Sequence, residues 1–176
     1  MKTIILGISG SIAAYKAADI TNALTKHGIN VHVLMTKNAV SFITPFTLQC
    51  LSKNKVYSDV MTEPESAVHV KLAKQADLFV VAPASANIIA RLAAGFADDM
   101  LTSAALAAKN IPLFVAPAMH TNMYENPAVR NNLSVLQKRG WKIIEPRESR
   151  LACGDKGKGA MADVEVIVKI VLEALK

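Results

Sequence analysis

Apolar residues fall into two alternating patterns along this chain: short runs, and longer stretches in which they recur every three or four positions. The runs at residues 3–6, 31–35, 77–82, 112–116 and 141–144 are strand-length and mostly apolar, interrupted inside by His32 and Lys142, as in strands buried largely on both faces. After the first run, Ala13, Ala14, Ala17, Ala18, Ile20, Ala23 and Leu24 follow a helical period over residues 11–27, stopping at His27-Gly28. Further helices are expected at 44–52, with Pro45 in the first turn, in a short segment with His69 and Leu72, and at 87–95 and 98–108, broken by Gly95. Two more run from Asn126-Pro127 to Arg139-Gly140 and from about Asp163 to Leu175. Residues 54–65 read as a polar excursion, 117–124 as a loop and 151–161 as a Gly-rich loop. Strand-helix-strand units of this length cross over between parallel strands. Five of them imply one α/β domain over residues 1–176, a doubly wound parallel sheet of Rossmann-like or flavodoxin-like type with helices on both faces.

Ligands of such sheets sit at the carboxyl ends of the strands. The first strand runs into Gly7-Ile8-Ser9-Gly10-Ser11-Ile12, where the N–H groups of Gly10, Ser11 and Ile12 would face outward at a helix start, a setting for an anion. Gly7 and Gly10 would allow close approach of a ligand, and the Ser9 and Ser11 hydroxyls could donate to phosphate oxygens. The spacing is neither G-x-G-x-x-G nor a Walker loop, so a phosphate is expected but not a nucleoside triphosphate. The plain alternative is a turn that only joins strand to helix. Thr36 ends the second strand without a carboxylate for a ribose, which disfavours NAD and favours a mononucleotide such as FMN. Pro83-Ala84-Ser85-Ala86-Asn87 and Pro117–Tyr124 end the third and fourth strands at the same edge.

Composition narrows the classes. No apolar run reaches the roughly 18–20 residues of a membrane span, which points to a soluble, cytoplasmic protein without a membrane partner. The net charge of +6 is spread along the chain with few aromatic residues, so it suits a phosphorylated small molecule better than a nucleic acid. Cys50 and Cys153 form no CxxC pair, which argues against a disulfide framework or a metal site. Cys50, in an apolar stretch, reads as an inert core thiol; His27 and His32 read as a helix end and a strand surface position. A 52% hydrophobic content suggests that another subunit covers part of the surface.

Four segments carry a more specific signal: GSIAAYKAAD (10–19), HVKLAKQADLFVVAPASAN (69–87), PAMHTNMYENP (117–127) and LACGDKGKGAMAD (151–163). Together, in this order over almost the whole chain, they resemble the homo-oligomeric flavin-containing cysteine decarboxylases, in particular those acting on 4′-phospho-N-pantothenoylcysteine in coenzyme A synthesis. The resemblance implies FMN as cofactor, oxidation of the cysteine moiety, loss of CO2 and return of the electrons, without net redox change. It places Gly10, Ser11, Ile12, Thr36, Pro83, Ala84, Ser85, Asn87 and Met119 at the cofactor, and position 120, Met123 and Ala160 at the substrate. His69 becomes a base and Cys153 the proton donor of the reductive step, carried by a flexible Gly-rich lid. Homotrimers, or a dodecamer built from trimers, are expected, with FMN near the subunit interface. The chain stops at Lys176, as a stand-alone form would, where many relatives continue into a ligase.

Two departures from the family pattern stand out. His120 occupies the asparagine position of Pro-x-Met-Asn-x-x-Met, where the family amide holds the substrate carboxylate; reduced turnover is expected, rising toward acidic pH if the imidazole pairs with that carboxylate when charged. Ala160 stands where many fused relatives carry arginine. The alternatives are a peptidyl-cysteine decarboxylase of peptide-antibiotic maturation and a weakly active flavin-binding regulatory subunit. Without the resemblance, His69 reads equally as structural or exposed, and Met119 and Met123 as core fillers.

Overall fold

The structure, a computed structural model, describes residues 1–58, 67–150 and 154–176. β1 (Thr3–Ile8), β2 (Asn30–Met35), β3 (Leu78–Ala84), β4 (Leu113–Pro117) and β5 (Trp141–Ile143) form one parallel sheet in the order β2-β1-β3-β4-β5. This is the flavodoxin-like order. The chain leaves β1 toward one edge and returns to β3 on its other side, so the carboxyl ends of β1 and β3 flank the topological switch point, where open α/β sheets hold ligands.

Alternate side chains of each strand face opposite layers. Ile4, Leu6 and Ile8 pack with Ile20 and Leu24 of α1 (Lys16–Lys26) and with Ile167 and Val171 of α8 (Val164–Ala174). On the other face, Ile5, Phe79 and Val81 meet Leu72 of α3 (Val68–Gln75), Ile88 of α4 (Ala86–Ala94), Leu101 of α5 (Met100–Ala107) and Leu133 of α7 (Pro127–Lys138). Phe79 and Trp141 meet edge to face with ring centroids 6.1 Å apart. Helices therefore cover both faces, as expected.

Local chemistry sets the helix starts. Thr44 caps α2 (Pro45–Ser52), Ser85 caps α4, and Asp99 and Thr102 form a reciprocal capping box on α5. Several expectations change. Residues Ile12–Tyr15 form a 3-10 turn and α1 begins only at Lys16, so the first loop does not lead straight into an α-helix. The 117–124 loop contains the five-residue α6 (Thr121–Glu125). β7 (Lys156–Ala160), inside the Gly-rich stretch, pairs antiparallel with β6 (Arg147–Arg150), which precedes that stretch, as a separate hairpin.

Cys50 is exposed rather than in the core, because Leu48 and Ser52 occupy the buried face of α2 and position 50 points away from it. His27 ends α1, whereas His32 is half-buried on β2, and burial lowers its pKa. A Cβ on Gly7 would lie 2.9 Å from Leu101 Cδ1, so that glycine makes room for core packing and not for a ligand. No helix among the described residues is long and apolar enough to cross a membrane.

Candidate functional site

Two cavities open at the carboxyl edge of the sheet, and the loop after β1 belongs to both. Ser9 and Gly10 line the first, of about 640 Å3, and Ser11, Ile12 and Ala13 line the second, of about 400 Å3.

The first cavity is walled by strand-end residues with hydroxyl and amide groups. Thr36 is nearly buried, yet its Oγ1 has no hydrogen-bond partner among the described residues. Leaving such a hydroxyl unpaired is costly, which marks it as a donor for something that enters the cavity. Ser85 Oγ accepts the N–H of Ile88 at 3.3 Å as the α4 cap, which leaves its own proton to donate. The N–H of Gly10 likewise donates to nothing among the described residues, and neither does that of Ser11 on the side of the second cavity. A Cβ on Gly10 would come within 2.7 Å of the Asn38 Cβ, so only glycine lets this loop close against the segment after Thr36.

Ser9 differs from the expectation. Its Oγ donates to Pro83 O and accepts from Ser85 N, both at 2.8 Å, and it ties β1 to β3 with no proton left for a phosphate. On the far wall Arg91 is committed to Asp98 and Asp99, the latter at 2.7 Å. The Arg91 hydrogen bond holds the Asp98 carboxyl below its ordinary pKa. Two carboxylates on one guanidinium leave Arg91 fully engaged, and Lys37, at the rim, is the cation of this cavity not held in that cluster.

The second cavity lies between the first loop, the end of β4 and the hairpin. Ile12, Ala13, Tyr15, Ala118, Met119, Ala160 and Met161 give it a largely apolar wall, and Lys16, His120, Arg147 and Arg150 supply its basic groups. The hairpin is held down by close backbone contact: Met119 N–H donates to Gly159 O at 3.0 Å. A Cβ on Gly157 would collide with Thr121 Oγ1, and one on Gly159 with Met119 O. Gly157 and Gly159 serve close approach in a strand. Glu145 adds a polar clasp, accepting from Tyr124 Oη at 3.0 Å and from Lys158 Nζ at 2.7 Å. The Lys158 hydrogen bond holds the Glu145 carboxyl below its ordinary pKa, and burial raises that of Tyr124.

His120 is engaged at both ring nitrogens. Nδ1 accepts the N–H of Asn122 at 3.1 Å as the α6 cap, so the ring proton belongs on Nε2, which lies 2.9 Å from Asp155 Oδ2. An asparagine would provide the same cap through its amide oxygen. The imidazole differs in reaching across to the hairpin.

Of the residues singled out in the sequence, Gly10, Thr36, Ser85, Asn87 and Met123 line the first cavity, and Ser11, Ile12, Met119, His120 and Ala160 line the second. Pro83 and Ala84 are buried at the end of β3 and line neither; Pro83 contributes its carbonyl to Ser9. His69 is half-buried on α3, which packs on α5, and it lines neither cavity of its own chain. Cys153 lies outside the described residues. Sequence reasoning missed Lys16, although it lies inside a quoted motif, and also Arg147, Arg150 and the Arg91 pair. No local signal in the sequence marks Lys16, because whether a cation is paired depends on residues brought together by the fold.

The Flavoprotein family model matches residues 1–176. A "probable phosphopantothenoylcysteine decarboxylase" of Streptococcus mutans is 57% identical over 99% of both chains. The coenzyme A biosynthesis bifunctional protein CoaBC of Bacillus subtilis is 48% identical over 96% of this chain, which spans only 42% of that protein. Among solved structures, a PPC decarboxylase mutant complexed with pantothenoylaminoethenethiol superposes with a TM-score of 0.89 at 33% identity, over 98% of this chain and 97% of its own. The FMN binding protein AtHal3 superposes at 0.86 with 34% identity, over 98% and 95%. With a family match over its full length, and the unpaired donors of the first cavity where a phosphate would sit, the chain belongs to the Flavoprotein family.

Proposed function

We propose that this chain is a cytoplasmic FMN-dependent decarboxylase that converts 4′-phospho-N-pantothenoylcysteine into 4′-phosphopantetheine for coenzyme A synthesis. The support is the 57% identity to the Streptococcus relative over both whole chains, together with a site that fits the cofactor. The observation that carries the fit is the buried, unpartnered Thr36 Oγ1. With Ser85 Oγ, the N–H of Gly10 and the nearby Lys37 ammonium, it makes a donor set for the FMN phosphate. When bound, FMN supplies reversible two-electron chemistry at the cysteine moiety.

The chain's own residues bind and orient. The apolar wall of the second cavity, from Ile12 to Met161, takes the neutral arm of the substrate and excludes water. Met119 and Met123, on either side of His120 and one in each cavity wall, would border both ligands. His120 stands where the family amide meets the carboxylate, but its ring is tied to Asn122 and Asp155. We assign a proton-donating role to Cys153 and a base role to His69.

Because His69 lines neither cavity of its own chain, it serves a neighbouring copy in this reading. Homotrimers, or trimers assembled into dodecamers, are the proposed form. The exposed side chains of Phe46, Phe96 and Leu106 support such contacts, and light scattering tests them.

Purified protein should be yellow with FMN and should release CO2 from 4′-phospho-N-pantothenoylcysteine but not from a peptide ending in cysteine. Thr36→Val, which keeps shape and removes the hydroxyl, should weaken FMN binding by about tenfold or more, measured by flavin fluorescence. A colourless wild-type protein, or turnover of the peptide alone, would overturn the reading.

A further inference from the structure

The ends of β1 and β3 flank the topological switch point, yet the regular ladder between them stops short of it. Its last registered pair is Gly7 with Val81, and the pairing of β3 with β4 shifts register between Val81 and Ala84. Pro83 has no N–H to donate, so the end of β3 is held against β1 in another way.

The Ser9 side chain takes over from the ladder. It is 1% exposed, its Oγ donates to Pro83 O and accepts from Ser85 N, both at 2.8 Å, and its own N–H reaches the same carbonyl at 3.2 Å. A carbonyl and an N–H two residues apart are what one residue of a parallel strand engages on its neighbour. The hydroxyl therefore stands in for a peptide unit, and because its single proton goes to Pro83 the direction of the bridge is fixed.

Beyond the bridge lies a wall of the first cavity. Ser85 caps α4 through its Oγ, and Ser85, Ala86 and Asn87 line that cavity together with Gly10 and Thr36. Ser9 precedes Gly10 in the chain, so one hydroxyl links the peptide that carries the unengaged Gly10 N–H to the residue that carries the Ser85 hydroxyl. Removing it would leave the buried Ser85 N–H without its acceptor, whereas Pro83 O would keep the Ser9 N–H.

We propose that Ser9 is a positioning residue for the cofactor phosphate: its hydroxyl sets the spacing between the Gly10 N–H and the Ser85 hydroxyl so that both meet one anion. The inference deepens the proposed function and rests on it for the identity of that anion as the phosphate of FMN. Hydrogen bonds weaken steeply once distance and angle leave a narrow range, so a small shift between the two walls would loosen both contacts together.

The test uses the flavin-loaded protein. Exchange against an equimolar mixture of FMN and riboflavin, with the bound ratio read by chromatography, measures what the phosphate contributes. The wild type should hold FMN in clear preference. Ser9→Ala should cut that preference by about tenfold or more, leave riboflavin binding nearly unchanged and quicken hydrogen exchange at the Ser85 amide. Ser9→Thr, which keeps the hydroxyl, should restore most of both. Ser85→Ala should also cut the preference, and the double variant should lose less than the two single losses combined, because one residue acts through the other. If Ser9→Ala fails to fold, Ser9→Cys, with a weaker donor of similar shape, carries the same comparison. Parallel losses of FMN and riboflavin, additive effects of the two substitutions, or unchanged exchange at the Ser85 amide would overturn the role of Ser9 and leave the phosphate site standing. A wild type that takes riboflavin as readily as FMN would overturn the phosphate site itself, and the role of Ser9 with it.

Discussion

The five-stranded sheet and the β6–β7 hairpin are built on opposite plans. Phe79 in β3 has no exposed surface, pairs with its neighbour strands through the backbone and packs against Trp141. The hairpin has only two strands, charged residues at most of its positions and a few anchors: Met119 N–H on Gly159 O, Lys158 on Glu145, and His120 on Asp155. An isolated two-stranded ribbon is marginal in water. The contrast teaches that the platform carrying the first loop owes its order to burial, whereas the wall closing the second cavity owes its order to point contacts that single substitutions remove.

The sheet should respond most. Phe79→Ala deletes a fully buried ring and should lower global stability by about 3–5 kcal/mol, read from urea unfolding. If the loss is under about 1 kcal/mol, the two regions do not differ as described.

Gly159→Ala should do the reverse. The added Cβ meets the Met119 carbonyl, so the hairpin must lift, and turnover should fall at least about tenfold while the unfolding midpoint moves little. Hydrogen exchange at the Met119 amide should quicken. An unchanged exchange rate would show that the anchor is not needed.

His120 probes one anchor at lower cost. His120→Ala removes the α6 cap and the Asp155 contact and should cost about 1 kcal/mol. His120→Asn keeps a cap acceptor and presents a neutral amide, so turnover should exceed that of the wild type by about tenfold. Equal rates would make His120 a tolerated substitution.

The smallest effect concerns pH. The Lys158 hydrogen bond depresses the Glu145 pKa in the folded chain, so its contribution is present above the ordinary carboxylate range and is lost as pH falls through and below it. For a half-exposed pair this amounts to about 0.5 kcal/mol. Glu145→Gln should flatten the acid limb of stability between roughly pH 5 and 3; an identical limb would assign it to other carboxylates.

The parallel platform was legible because its signals are local and periodic. Short apolar runs and Ala-rich helical spacing need no knowledge of neighbours, and Thr36 and Ser85 could be located as strand-end residues from the runs alone. The hairpin was not legible, since residues 147–150 and 156–160 carry charges and glycines without alternation. Its pairing depends on contact with Met119 and Thr121, far away in the chain. Cys50 was misjudged for a related reason: composition marks a stretch as apolar, but only packing chooses which face of α2 is covered.

By itself, the sequence determined the order of the five parallel strands and the helices between them, the parallel class and the loops at the strand ends, because propensity, period and capping act over a few residues. Tertiary structure alone decided which polar groups are already spent. The Ser9 hydroxyl goes to Pro83, the His120 ring to Asn122 and Asp155, and Arg91 to Asp98 and Asp99, while Thr36 Oγ1 and the Lys16 ammonium have no partner among the described residues. Whether a donor is free depends on neighbours brought together from distant parts of the chain, and in a buried or half-buried setting that freedom is what marks a place for a ligand.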